Sequence, residues 1–210
     1  VALAATRIGV DSKIVMPEHA PVSKVKATRS YGAEVVLHGV DYNEAAEYAH
    51  QLEREEGRTY VHAFDDELVM AGQGTIGLEI LEDLPEVETV LVPIGGGGLI
   101  SGIATAIKAK SPDTRVIGVQ AEGASSVAQS LTKGHRVELD RVDTIADGIA
   151  VRGPGTLTYE VIKERVDEVV TVSDPEIAMA LTYVLERGKT LVEGAGAAPL
   201  AALLFDKFDY

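Results

Sequence analysis

Four consecutive glycines, Gly95 to Gly98, stand between the apolar run Thr89-Val90-Leu91-Val92-Pro93-Ile94 and an apolar helical stretch over 100–110. Each glycine costs backbone entropy on folding, so a tight turn alone does not ask for four. A run without side chains lets successive N–H groups surround an anion, and the helix start that follows adds positive potential. The pattern therefore predicts a buried strand, a phosphate-holding loop and a helix, against the plainer alternative of a tight turn or a close backbone crossing. A Walker loop is excluded because no Gly-Lys-Ser/Thr follows. The dinucleotide fingerprint fails as well: the position five residues after Gly95 is Ile100, and after Gly96 it is Ser101. Glu122, at the end of the next strand, imitates the ribose-binding acid of dinucleotide folds, which keeps a nucleotide-binding Rossmann-like enzyme as an alternative.

Around this loop, strands alternate with helices. Apolar runs at 13–16, 34–37, 59–62, 89–94, 115–120 and 168–172 read as strands. Between them, Pro21 opens a helix that ends at Gly32, and a charged amphipathic helix over 42–56 stops at Gly57. Further helices run to about Asp83 and over 100–110, 125–133 and 157–165. Ser173 and Glu176 have capping-box spacing and launch another. Repeated strand–helix units imply an α/β fold of largely parallel sheet with helices on both faces. The soft junction is the acidic, polar stretch His62–Glu67, which suggests one unit over 1–65 and another over 66–210.

Composition narrows the function classes. The 210 residues carry 33 Asp+Glu against 19 Lys+Arg, a net charge of −14, which argues against nucleic-acid or anionic-membrane partners. No apolar run approaches the ~20 residues that cross a bilayer. The absence of Cys excludes disulfides, thiolate nucleophiles and cysteine-ligated metal. No signal peptide is visible, so a cytoplasmic address is the default expectation. The chain opens Val1-Ala2-Leu3-Ala4-Ala5-Thr6-Arg7 as if inside a helix, and closes on Phe208-Asp209-Tyr210 without a stop signal. Both ends read as cuts in a longer protein.

Several stretches together resemble one family. The loop Gly95-Gly96-Gly97-Gly98-Leu99, followed by Ile100-Ser101-Gly102-Ile103-Ala104, is similar to the phosphate-binding tetraglycine loop of threonine dehydratases and serine racemases. Ala71-Gly72-Gln73-Gly74-Thr75-Ile76-Gly77-Leu78-Glu79 resembles the family's preceding helix, and Gly118-Val119-Gln120-Ala121-Glu122-Gly123 its following strand. Thr144-Ile145-Ala146-Asp147-Gly148-Ile149-Ala150 resembles its Ala-Asp-Gly turn. Val192-Glu193-Gly194-Ala195-Gly196-Ala197-Ala198 resembles its late active-site segment.

The resemblance implies a fold type II (tryptophan synthase beta-like) pyridoxal-phosphate enzyme, incomplete here. Residues 1–65 would belong to the smaller domain and 66–210 to the larger, cofactor-binding one. It further implies dehydration and deamination of threonine, serine or both to a 2-oxo acid and ammonia, with the hydroxy amino acid as small-molecule partner. A place in amino-acid metabolism, such as isoleucine biosynthesis, and a homo-oligomeric state go with it. Pyridoxal 5'-phosphate would be held by Gly95, Gly96, Gly97, Gly98 and the Leu99 amide.

The same resemblance places the Schiff-base lysine and an Asn-containing substrate loop before Val1, and the pyridine-nitrogen segment after Tyr210. No catalytic residue is then expected in this chain, and the fragment alone is expected to be inactive. Lys24 and Lys26 lie on a helix and read as a solvated face. Glu193 could sit near the cofactor ring and influence its protonation, or simply accept backbone donors. Asp147 reads first as an Asp-Gly turn residue. Glu122 is a weak candidate ligand for a cation, because the family's second acidic position falls near Ala128. One carboxylate makes a poor site, so no metal is expected. His19, His38, His50, His62 and His135 are scattered and form no ligand pair. Arg152 reads as a loop charge. A non-catalytic homologue that binds the cofactor or another ligand remains the alternative from a different class. Replacing Gly96 or Gly97 with a larger residue is expected to abolish cofactor binding in a titration; retained affinity would count against the cradle.

Overall fold

The computed structural model describes residues 1–209. Short strands followed by helices form two compact units that divide between Val61 and His62. The first unit runs through α1 (Ala2–Arg7), β1 (Lys13–Met16), α2 (Val22–Ser30), β2 (Glu34–Leu37) and α3 (Tyr42–Glu56). Strands β1 and β2 are parallel, with Lys13 opposite Glu34 and Met16 opposite Leu37. Asp41 caps α3 by accepting the Glu44 N–H at 3.0 Å, and Gly57 ends the helix at φ +64°. The conformation of Gly57 is left-handed, which a residue with a Cβ adopts at a cost.

One expected strand does not form. Residues 59–62 carry β-formers but join no ladder, and β1 pairs with β2 alone. Local side-chain contacts occupy the segment instead. The Tyr60 ring packs on His50 at 4.0 Å between centroids, and Arg58 pairs with Glu56 at 2.6 Å. Without a neighbouring strand to take its backbone groups, β propensity does not make a strand.

The second unit contains α4 (Glu67–Asp83), β3 (Thr89–Pro93), α5 (Gly98–Lys110), β4 (Arg115–Ala121) and α6 (Ser126–Lys133). It continues through α7 (Thr156–Arg165), β5 (Glu168–Val172), α8 (Asp174–Tyr183) and α9 (Gly194–Leu204), with 3₁₀ turns at Glu122–Ala124 and Asp147–Ile149. The three strands form one parallel sheet in the order β3-β4-β5. Alternation along β4 separates two cores. Ile117, Val119 and Ala121 join Val172, Ile177, Ala198 and Ala201 on the α8–α9 side. Val116 joins Val90, Val92, Ile100, Ile103 and Ile162 on the α5–α7 side. Apolar side chains on both faces are what an all-parallel sheet requires.

Two features fix α5, the helix that follows the glycines. A Cβ at Gly102 would overlap the Met70 carbonyl oxygen and stand 2.6 Å from the Gly74 nitrogen, so α4 and α5 cross at backbone contact. At its other end, Lys108 Nζ lies 2.8 Å from the Asp167 carboxylate, which also accepts the Val116 N–H at 2.6 Å. Partial burial works to raise the Asp167 pKa, but the Lys108 ammonium and the Val116 N–H prevail and hold it below the ordinary carboxylate value.

Two predictions follow from this packing. Gly102→Ala should destabilise the protein by about 3 kcal/mol, the upper range for forced overpacking, in a urea titration. A lowered Asp167 pKa adds stability that is fully present above the unfolded value and lost as pH falls through the folded one. Asp167→Asn should therefore weaken the fold at neutral pH and flatten the acid limb of stability against pH below about 4. An unchanged acid limb would count against this assignment.

Candidate functional site

The glycine run lies at the carboxyl end of β3, where ligands of open α/β sheets bind. The ladder extends one step past the strand, with Ile94 N–H donating to the Val119 carbonyl at 2.8 Å. The chain then turns through Gly97 at φ +99°, and α5 begins at Gly98, inside the run rather than at Ile100 as the sequence suggests. Gly96, Gly97 and Gly98 are buried. Among the described residues no acceptor takes the N–H of Gly95, Gly96, Gly97, Gly98 or Leu99. The first amide of α5 to bond back is that of Ser101, to the Gly97 carbonyl at 3.0 Å. Five successive uncommitted donors at the positive end of a 13-residue helix are the chemistry of an anion site.

The Cβ positions of the glycines point elsewhere. At Gly96 a Cβ would fall into the Phe64 ring, and at Gly98 it would meet the Phe64 backbone at 2.8 Å. At Gly97 it would stand 2.8 Å from Ile162 Cδ1 and 2.9 Å from Thr158 Cβ. At Gly95 it would lie 3.2 Å from Ile149 Cα. The absence of side chains thus lets the loop pack onto the protein and leaves its amides uncommitted.

A second helix start meets the loop. The Gly96 carbonyl accepts from Gly155 N at 3.2 Å and from Thr158 Oγ1 at 2.7 Å, and Ser101 Oγ donates to the Thr158 carbonyl. The first amides of α7 are already taken: Asp65 accepts from Thr156 at 2.8 Å, Leu157 at 2.9 Å and Thr158 at 3.0 Å. Of the two helix starts at the loop, α7 therefore carries its own carboxylate, and α5 keeps its first donors uncommitted. His62 Nδ1 holds the intervening turn by accepting the N–H groups of Phe64 and Asp65.

The remaining candidates fall into place around this centre. Gly148, in the 3₁₀ turn beside Gly95, is flanked by Glu193: Glu193 Oε2 is 3.6 Å from a Cβ built on Gly148. Glu193 is exposed at the N-cap of α9, and Asp147 is exposed on the turn. Glu122 is exposed on a separate 3₁₀ turn. Among the described residues no group of three His, Cys, Asp or Glu could hold a metal ion. Arg152 ties a loop, donating to the Leu139 carbonyl at 2.8 Å. His38 stacks on Tyr48, and the His62 ring lies 4.7 Å from that of Phe64, beside the glycine loop.

Phe64, Asp65 and Thr158 escape sequence reasoning. The one available signal is the Asp65-Asp66 pair. Asp66 is the N-cap of α4, bonding Leu68 N at 2.8 Å and Val69 N at 3.0 Å, which leaves Asp65 for another helix.

The family described as "Pyridoxal-phosphate dependent enzyme" matches residues 1–209. An L-threonine ammonia-lyase of Geobacter sulfurreducens is 57% identical over 204 residues, covering 97% of this chain and 51% of that protein. The L-threonine dehydratase catabolic TdcB of Staphylococcus aureus is 52% identical over 209 residues, covering 100% of this chain and 60% of that protein. The chain thus spans about half to three fifths of the length of these relatives. Among solved structures, the processed threonine deaminase isoform 2 of Solanum lycopersicum superposes with a TM-score of 0.92 at 42% identity. That match covers 100% of this chain and 59% of the other.

Gly97→Ala combines a left-handed backbone with a Cβ crowded by Ile162 and Thr158. It should cost about 2 kcal/mol of stability, read from the midpoint shift in urea at constant slope.

Proposed function

The chain belongs to the family of pyridoxal-phosphate dependent enzymes, and on that premise we propose that the full-length protein is an ammonia-lyase. It would take threonine, serine or both to a 2-oxo acid and ammonia. The observation that carries this reading is the set of five uncommitted amides from Gly95 to Leu99 at the start of α5. Relatives named threonine ammonia-lyase and threonine dehydratase, at 57% and 52% identity, support the choice of reaction.

The residues present fit the phosphate of the cofactor. A dianion is matched by several fixed N–H donors and a helix dipole, and backbone donors are preorganised because they cannot swing away. Gly95, Gly96, Gly97, Gly98 and Leu99 would hold the phosphate group through their amides. Glu193 is the carboxylate next to the Asp147–Ile149 turn that flanks the loop, and it would sit near the cofactor ring or accept backbone donors there. When bound, pyridoxal phosphate supplies a sink for the electron pair left as the substrate's Cα–H is removed. The lysine that carries the cofactor belongs, in this reading, to the part of the relatives' length that this chain does not span. The first unit is read as part of the smaller domain of the fold, and the second as part of the larger, cofactor-binding domain.

A hydroxy amino acid fits the reaction because its β-hydroxyl is the group lost. Threonine and serine differ by one methyl, worth only ~1–3 kcal/mol of discrimination in a pocket, so both are substrates to assay. The isoleucine-biosynthetic setting rests on family resemblance, and the catabolic name of a relative supports the opposite direction of use.

The direct test supplies the purified full-length protein with pyridoxal phosphate and L-threonine or L-serine. Release of 2-oxobutanoate or pyruvate with one equivalent of ammonia is expected. Formation of a D-amino acid without ammonia, or no turnover of either substrate, would overturn the lyase assignment.

A further inference from the structure

We propose that Asp65 is a positioning residue for the phosphate cradle, acting through the first turn of α7 and the Gly96 carbonyl. The inference rests on the reading of Gly95 to Leu99 as the phosphate site and names what holds that site in shape.

The connection is continuous in hydrogen bonds. The Asp65 carboxylate gathers three consecutive amides: Thr156 through Oδ2 at 2.8 Å, and Leu157 and Thr158 through Oδ1 at 2.9 and 3.0 Å. The fit is close, because a Cβ on Gly155 would overlap that carboxylate. The turn so fixed donates twice to a single atom of the glycine loop, the Gly96 oxygen, from Gly155 N at 3.2 Å and Thr158 Oγ1 at 2.7 Å. A peptide unit is planar, so holding the Gly96 oxygen also sets the direction of the Gly97 N–H. Phe64, adjacent to Asp65, closes the other side by occupying the space beside Gly96 and Gly98. His62 completes the brace by accepting the amides of both Phe64 and Asp65 at 3.1 and 2.8 Å.

The charge matters as well as the geometry. A helix start without an internal acceptor attracts anions. By filling the start of α7 from within the chain, Asp65 leaves α5 as the one of these two helix starts with donors to offer. A glycine loop is intrinsically soft, since each glycine has the widest backbone freedom of any residue. The cradle therefore needs an external brace to be preorganised, and the Asp65–α7–Gly96 chain provides it.

The test uses the full-length protein and compares binding of pyridoxal phosphate with binding of pyridoxal, which lacks the phosphate. The variants are Asp65→Ala, Thr158→Val and Thr158→Ser. In Asp65→Ala and Thr158→Val the preference for the phosphorylated ligand should fall roughly tenfold or more, the size set by losing hydrogen bonds around a charged group. Pyridoxal affinity should be unchanged, and Thr158→Ser, which keeps the hydroxyl, should restore the preference. Thr158→Val leaves the Asp65 cap in place, so it reads the same question if Asp65→Ala fails to fold. Hydrogen exchange of the Gly95 to Leu99 amides in the cofactor-free variants should quicken in parallel. An unchanged preference in both variants, or an equal loss for both ligands, would overturn the inference. Failure of the wild type to prefer pyridoxal phosphate over pyridoxal would instead overturn the reading of the cradle itself.

Discussion

The Gly96 carbonyl is the atom on which the site turns. It accepts two hydrogen bonds from the start of α7, and this fixes the glycine loop while leaving the N–H groups of Gly95 to Leu99 without an acceptor of their own among the described residues. Buried donors without partners cost free energy, and proteins keep very few of them. Five in succession, with three of the residues buried, are backbone donors that the fold itself leaves unused. The neighbouring helix shows the contrast. The α7 amides have the same intrinsic need and are satisfied by Asp65.

The rest of the second unit serves to hold that geometry. Helix α5 begins within the glycine run, and backbone contact with α4 at Gly102 fixes its position along its length. Asp167 ties its last turn to β4 through Lys108 and the Val116 N–H. The parallel β3-β4-β5 sheet brings the loops that follow its strands to one end, and the two apolar clusters on its faces lock the helices that supply them. Phosphate binding by backbone amides needs such support. The donors have no side-chain rotamers of their own to adjust, so their aim is set by the packing beneath them.

Local signals in the sequence are sufficient for most of the elements. The stop at Gly57, the capping box at Ser173 and Glu176, and the strand running into the glycines are all legible because cap and turn chemistry is written within a few residues. The expected strand at 59–62 fails because a strand is defined by a neighbour, and no neighbour is specified within those four residues. The start of α5 is misplaced by two residues because glycine is a poor helix former. Gly98 nevertheless enters the helix, packed against Phe64. The place of the glycine loop between a strand and a helix is readable in the sequence, but the residues that pack against it are not. Asp65 reaches the amide of Thr156 across 91 positions, and Thr158 reaches Gly96 across 62, so neither leaves a trace in local spacing. The adjacent pair Asp65-Asp66 is a partial exception, since one helix start needs only one cap.

The most direct measurement is amide-resolved hydrogen exchange of the full-length protein with and without pyridoxal phosphate. Slowed exchange concentrated at Gly95, Gly96, Gly97, Gly98 and Leu99 on cofactor binding is the expected result. Tight cofactor binding with those five amides unchanged would contradict the assignment of the phosphate to this loop.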